Sequence, residues 1–275
     1  MPLTKIQVEI LSLLAAHRDM ESYVAGSTPL NRDTARFSGD IDVFHDREER
    51  VAQAVREDAS VLEKQGYSLL WLKREPAMYS VIAERARETT KLEWVVDSDF
   101  RFFPTIRDQM FGYVLHPVDL ATNKIAAAYG RREPRDVIDL LTIHKRILPL
   151  GATVWASAGK TLGFTPEGII NEVRRLARYT DADFRRVASE PPIDPNAVMT
   201  ELRKLLDEAE AFVTQMPTAK VGLLFLENGK VVQPDPTRLD AYQTHAGQRR
   251  GHWPSSPEIS AAMFERLAEE NGYMK

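Results

Sequence analysis

The chain has no cysteine. That excludes disulfide scaffolds and thiolate metal centres, and it fits a reducing, cytoplasmic setting. Long apolar runs are missing too: none approaches the roughly 20 residues that span a bilayer. Met1 to Arg18 lacks a basic stretch ahead of an apolar one and does not read as a secretory leader. No excess of positive charge is present, since 36 Lys and Arg stand against 40 Asp and Glu. This argues against indiscriminate nucleic-acid binding and leaves room for local basic patches. The six histidines show no ligand spacing, so zinc is not expected. The Gly-x-Ser-x-Gly elbow of many hydrolases is absent. Gly159-Lys160-Thr161 imitates the end of a P-loop, but Val154 stands where its first glycine belongs and no clear strand precedes it.

What is present is ordinary globular composition, 43% hydrophobic and 28% charged over 275 residues, enough for a large core. The most informative stretch is Gly26-Ser27-Thr28, followed after a short basic loop by Ser38-Gly39-Asp40-Ile41-Asp42-Val43-Phe44. In an extended strand, residues two apart share a face, so Asp40 and Asp42 stand side by side. Two neighbouring carboxylates repel unless a cation lies between them. Mg²⁺ suits that need, because it takes carboxylate oxygens and keeps positions for phosphate oxygens. The upstream Gly26-Ser27 offers a phosphate backbone N–H groups and a hydroxyl. A third carboxylate often completes such a site. Glu93 and Asp97 share one face of the alternating run Lys91 to Asp97, and Glu93 is the first choice.

Periodicity places the elements. Lys5–His17 reads as a helix, Ser22–Gly26 as a strand, and Arg47–Gln65 as an amphipathic helix ended by Gly66. Tyr67–Leu72, Met78–Ala83 and Lys91–Asp97 read as strands. Pro117–Ala128 and Arg135–Arg146 read as helices. Beyond Pro149 the strand signals fade: Thr165–Arg178, Asp181–Ser189, Asn196–Gln215 and Ser255–Asn271 look helical, with a hairpin around Asn228-Gly229.

Two further groups of residues carry chemistry. Lys124 lies in an otherwise apolar, alanine-rich helix, where it either snorkels or meets an anion. Arg135, Asp136 and Asp139 follow at spacings that allow them to converge on one helix. Arg174, Arg175, Arg178, Arg185 and Arg186, with Tyr179 and Phe184, form either a phosphate track with stacking partners or a solvated helix face. Arg249 and Arg250, near His252 and Trp253, are a smaller group of the same kind.

Gly-Ser ahead of a paired-Asp strand resembles the polymerase-β-like nucleotidyltransferase superfamily. The block from Asp119 to Leu140, with Lys124 and the ending Arg135-Asp136-x-x-Asp139-Leu140, is similar to the AbiEii/AbiGii toxin family, which includes the mycobacterial MenT toxins. The likeness spans roughly residues 20–145. It implies an α/β fold: a nucleotidyltransferase core over 1–150 with a small mixed sheet flanked by helices. A mainly helical C-terminal region over 151–275 would then offer the acceptor- or RNA-binding part.

The resemblance also implies Mg²⁺, or Mn²⁺, on Asp40 and Asp42 with Glu93. Gly26, Ser27, Ser38, Arg135 and Asp136 would bind the nucleotide, Lys124 the triphosphate, and Asp139 would be the essential acid of the third motif. Implied partners are an NTP, a tRNA or other RNA acceptor and a cognate antitoxin, with no membrane. Two departures are visible: Gly26-Ser27-Thr28 replaces the paired glycine of many relatives, and the third carboxylate is not a clear aspartate. Competing expectations are transfer to a protein or small-molecule hydroxyl, and a nucleotide-binding module without turnover.

Overall fold

The computed structural model describes residues 3–161 and 163–254, so the helix expected over 255–271 lies outside the described residues. The first elements are α1 (Lys5–Leu14), β1 (Ser22–Ala25), α2 (Ser27–Leu30), β2 (Asp40–His45) and α3 (Glu48–Lys64). α1 starts on a capping box in which the Thr4 side chain accepts from the Gln7 N–H and the Gln7 side chain accepts from the Thr4 N–H. Then come β3 (Ser68–Glu75), β4 (Met78–Arg85), β5 (Glu88–Val96), β6 (Phe100–Arg101), β7 (Ile106–Asp108) and β8 (Gly112–Val114).

The helical part holds α4 (Pro117–Gly130), α5 (Pro134–Arg146), α6 (Leu150–Ser157), α7 (Pro166–Leu176), α8 (Asp181–Phe184) and α9 (Pro195–Gln215). Four short strands follow: β9 (Leu224–Glu227), β10 (Lys230–Val232), β11 (Gln243–His245) and β12 (Gln248–Arg249). The fold is mixed α/β, as expected.

One seven-stranded sheet runs β3-β4-β5-β2-β1-β8-β7. It is mixed, because β2 runs parallel to β5 and β1 to β8, while β1 and β2 are antiparallel. Alternation sorts its two faces. Ile41, Val43, Val81, Leu92 and Trp94 point into an apolar core shared with α1 and α3. Asp40, Asp42 and Glu93 point the other way. The second large core joins α4 and α5 to α6, α7 and α9 through Ile125, Leu140, Trp155, Ile169 and Leu206.

Most expected elements are present, and the hairpin turns at Asn228 and Gly229, both with positive φ. Three differences have physical reasons. α6 was not expected because every one of its residues is buried, so it shows no amphipathic period. α8 stops at Phe184 instead of reaching Ser189, because the following chain pairs with the loop before β2: Phe37 N–H donates to Ala188 O and Glu190 N–H to Ala35 O. β6, β7 and β8 are two or three residues long, too short for a period-2 signal.

Candidate active site

β1 and β2 pair antiparallel with Ala25 opposite Asp42, so the turn after β1 crosses directly beside that carboxylate. Gly26 takes φ +69°, and a Cβ there would stand 2.0 Å from Asp42 Oδ2. Only glycine fits, on both counts. Three hydroxyls then tie the turn to the start of β2. Ser38 Oγ and Thr28 Oγ1 both donate to Asp40 O, at 2.9 and 2.8 Å, and Ser38 Oγ lies 3.0 Å from Ser27 Oγ. Ser27 and Ser38 are buried.

β2 and β5 run parallel with Asp40 opposite Lys91 and Asp42 opposite Glu93. One oxygen from each of Asp40, Asp42 and Glu93 lies within 4.8 Å of the others. Among the described residues this is the one group of three or more acidic or histidine ligands so placed. Asp97 directly follows the same strand but is not in the group. Its carboxyl is pushed up by burial, beside Asp46.

Two of the three carboxylates have a cation. Lys91 Nζ is 2.7 Å from Glu93 Oε1, and Arg135 Nη1 is 3.9 Å from Asp40 Oδ2. Asp42 has none in contact. Burial first, then the charges of Asp40 and Glu93, raise its carboxyl to about 7, against the opposing pull of Lys124 and Arg135. Ser80, opposite Glu93 on β4, has a buried hydroxyl with no hydrogen-bond partner. An all-oxygen donor set with an uncompensated carboxylate and an unpaired hydroxyl beside it fits a hard divalent ion such as Mg²⁺ or Mn²⁺.

Asp139, on α5, is fully buried. Asn31 Nδ2 donates to its Oδ1 at 3.2 Å, Arg36 reaches both oxygens from 2.8 to 3.1 Å, and Lys124 Nζ sits 2.7 Å from Oδ2. Burial alone would raise this carboxyl, but Lys124 and Arg36 more than offset it and hold it below the usual range. Lys124 therefore does meet an anion, one supplied by the protein.

Arg135, Asp136 and Asp139 do not converge. Arg135 reaches toward Asp40, Asp136 takes two hydrogen bonds from Arg131, and Asp139 faces Lys124 and Arg36. Helical spacing set their proximity in sequence, and the partners on three other elements set their directions.

A cleft of about 440 Å³ opens beside the array, between the loop of Arg36 to Gly39, the turn of Arg132 to Arg135, and the segment from Asp183 to Ala188. Arg186 lines it, and its side chain has no ion-pair partner among the described residues. Arg132 stacks over Tyr179 at 5.0 Å and meets Asp183 at 3.2 Å.

The expected arginine track splits here. Arg174 is held by Asp207 and Glu210 and Arg175 by Glu172, away from the cleft lining. Arg249 and Arg250 pair with Asp99 and Glu21. The sequence reading missed Asn31, Arg36 and Lys91. Lys91 was legible, being two residues before Glu93 on an alternating strand. Arg36 gave only the signal of a basic loop.

No family model matches the sequence, and no curated protein matches it. Solved structures overlap it in part. A protein from H. pylori described as a candidate nucleotidyltransferase is 16% identical, with a TM-score of 0.46, covering 75% of this chain and 92% of its own. The RNA terminal uridylyl transferase Cid1 is 11% identical, with a TM-score of 0.29, covering 98% of this chain and 88% of its own. A variant of the Cid1 poly(U) polymerase bound to MgATP gives the same identity and score, with 85% of its own chain covered. No helix among the described residues is long and apolar enough to cross a membrane.

Proposed function

We propose that the chain is a nucleotidyltransferase that moves a nucleoside monophosphate from an NTP to a hydroxyl. The observation that carries this reading is the array of Asp40, Asp42 and Glu93 beside the Gly26-Ser27 turn. Asp40 and Asp42 would hold Mg²⁺, with Glu93 beside them paired to Lys91. Bound there, the ion would offset charge on the α-phosphate and on the leaving pyrophosphate.

The chain's own residues do the rest. Gly26 leaves the turn's backbone bare at the Asp42 carboxylate, and Ser27 follows it. Lys124 and Arg135 supply positive charge for the triphosphate, with Arg36 and Asp139 fixing where Lys124 stands. The acceptor oxygen forms a bond to the α-phosphorus, the bond to the β-phosphate oxygen breaks, and pyrophosphate leaves. The hydroxyl proton passes to a carboxylate of the array.

The finer reading is an RNA 3′ end as acceptor, with tRNA the first choice and a protein antitoxin as restraint. The sequence resemblance supports it, and so does the arginine-lined cleft, which suits a phosphate backbone. The test is incubation of purified protein with Mg²⁺, each labelled NTP and total tRNA. Label is expected in RNA with wild type and not with Asp40→Ala. Label that survives Asp40→Ala, or that goes to protein, overturns the assignment of site or of acceptor respectively.

A further inference from the structure

The parallel register of β2 and β5 makes a two-by-two array on the open sheet face: Asp40 beside Lys91, and Asp42 beside Glu93. Lys91 and Glu93 share a strand and a face, and their charged atoms are 2.7 Å apart. Across the sheet on β4, Lys91 faces Ile82 and Glu93 faces Ser80, so no carboxylate stands directly opposite the ammonium, and its ion pair is with Glu93. The Ser80 hydroxyl, buried and unpaired, is a second group beside Glu93 left without a partner.

Count the charges in contact. Three carboxylates carry three negative charges, and Arg135 and Lys91 oppose two of them. One divalent ion already more than offsets the single negative charge that remains on Asp42. A second ion would have to take the Glu93 oxygen that Lys91 already holds, against the repulsion of that ammonium. We propose that Lys91 is the built-in counter-cation of Glu93, standing where a second divalent ion would sit, so that the site takes one ion, on Asp40 and Asp42. Lys91 is then a positioning residue, acting through Glu93. This rests on the metal-binding reading of the array, but not on which hydroxyl accepts the nucleotide.

The test counts ions. Mn²⁺ is titrated into the full chain without nucleotide, and free ion is read by electron paramagnetic resonance, with circular dichroism as a check on folding. One ion per chain is expected for wild type and for Lys91→Arg, and two for Lys91→Gln. Two ions on wild type or on Lys91→Arg, or one on folded Lys91→Gln, overturns the proposal. No ion on wild type overturns it together with the metal reading. The expected counts on a chain that transfers no nucleotide uphold the role of Lys91 and refute the reaction alone.

Discussion

Gly26 and Asp42 touch so closely that no other residue fits at position 26: an added Cβ would lie 2.0 Å from Asp42 Oδ2. Gly26→Ala therefore forces the turn away from β2 and meets a left-handed φ as well. The strain is expected to lower stability by roughly 1–3 kcal/mol. Nucleotide transfer should be lost at temperatures where the variant remains folded, because the carboxylate is displaced. A melting curve beside a transfer assay checks both. A variant that keeps full activity would show that the turn and the carboxylate work independently.

Asp139 offers a different kind of failure. Its carboxylate is the shared counter-charge of Arg36 and Lys124, and all three are buried. Asp139→Asn leaves two cations facing a neutral amide. Removing one partner of a buried ionic network costs about 3–5 kcal/mol. Chemical denaturation should report a loss of that size, together with loss of activity. An inactive variant of unchanged stability would instead mean that Asp139 acts on the substrate directly.

Acid–base behaviour gives a third prediction. The Asp42 carboxyl is raised to about 7 in the folded protein, by burial and then by Asp40 and Glu93, whereas an unfolded Asp titrates near 3.9. Between those values the folded state binds a proton that the unfolded state has released. Stability from this group is therefore full below about pH 4 and is lost as pH rises toward 7, by up to roughly 1.4 kcal/mol per pH unit. His45, lowered to about 3, and His116, lowered to about 4, both chiefly by burial, act with the opposite sign on their way up to an ordinary histidine value. The difference between wild type and Asp42→Asn isolates the carboxylate. Without divalent ions, Asp42→Asn should be the more stable at pH 8, and the gap should shrink toward pH 5. Mg²⁺ should narrow it at pH 8 by stabilising wild type alone. A pH-independent gap would refute the Asp42 assignment.

The sheet's acidic face was legible because it depends on period two alone: Asp40 and Asp42 share a face however the rest folds. That Glu93 rather than Asp97 completes the group depends on the register of β5 against β2, which the run Lys91 to Asp97 does not encode. Asp139 stands out in the sequence by its place in the Arg135-Asp136-x-x-Asp139 ending, but its surroundings come from Asn31, Arg36 and Lys124, far apart in the chain. α6 was invisible for a related reason: its burial on every side erases the pattern that reveals a surface helix.

The arginines of the C-terminal region separate by partner, and that separation can be measured. Arg186 lines the cleft with no ion pair among the described residues, whereas Arg174 is held by Asp207 and Glu210. If the cleft takes the phosphates of an RNA acceptor, Arg186→Ala should raise the KM for RNA about tenfold, the equivalent of about 1.4 kcal/mol, with little change in melting temperature. The slope of log affinity against log salt should fall by about one, because one phosphate contact is gone. Arg174→Ala should leave KM and salt slope unchanged. The two variants remove the same charge from the same region, so net charge alone predicts equal effects. Equal effects would assign RNA binding to diffuse attraction, and a KM change for the NTP rather than the RNA would assign the cleft to the nucleotide.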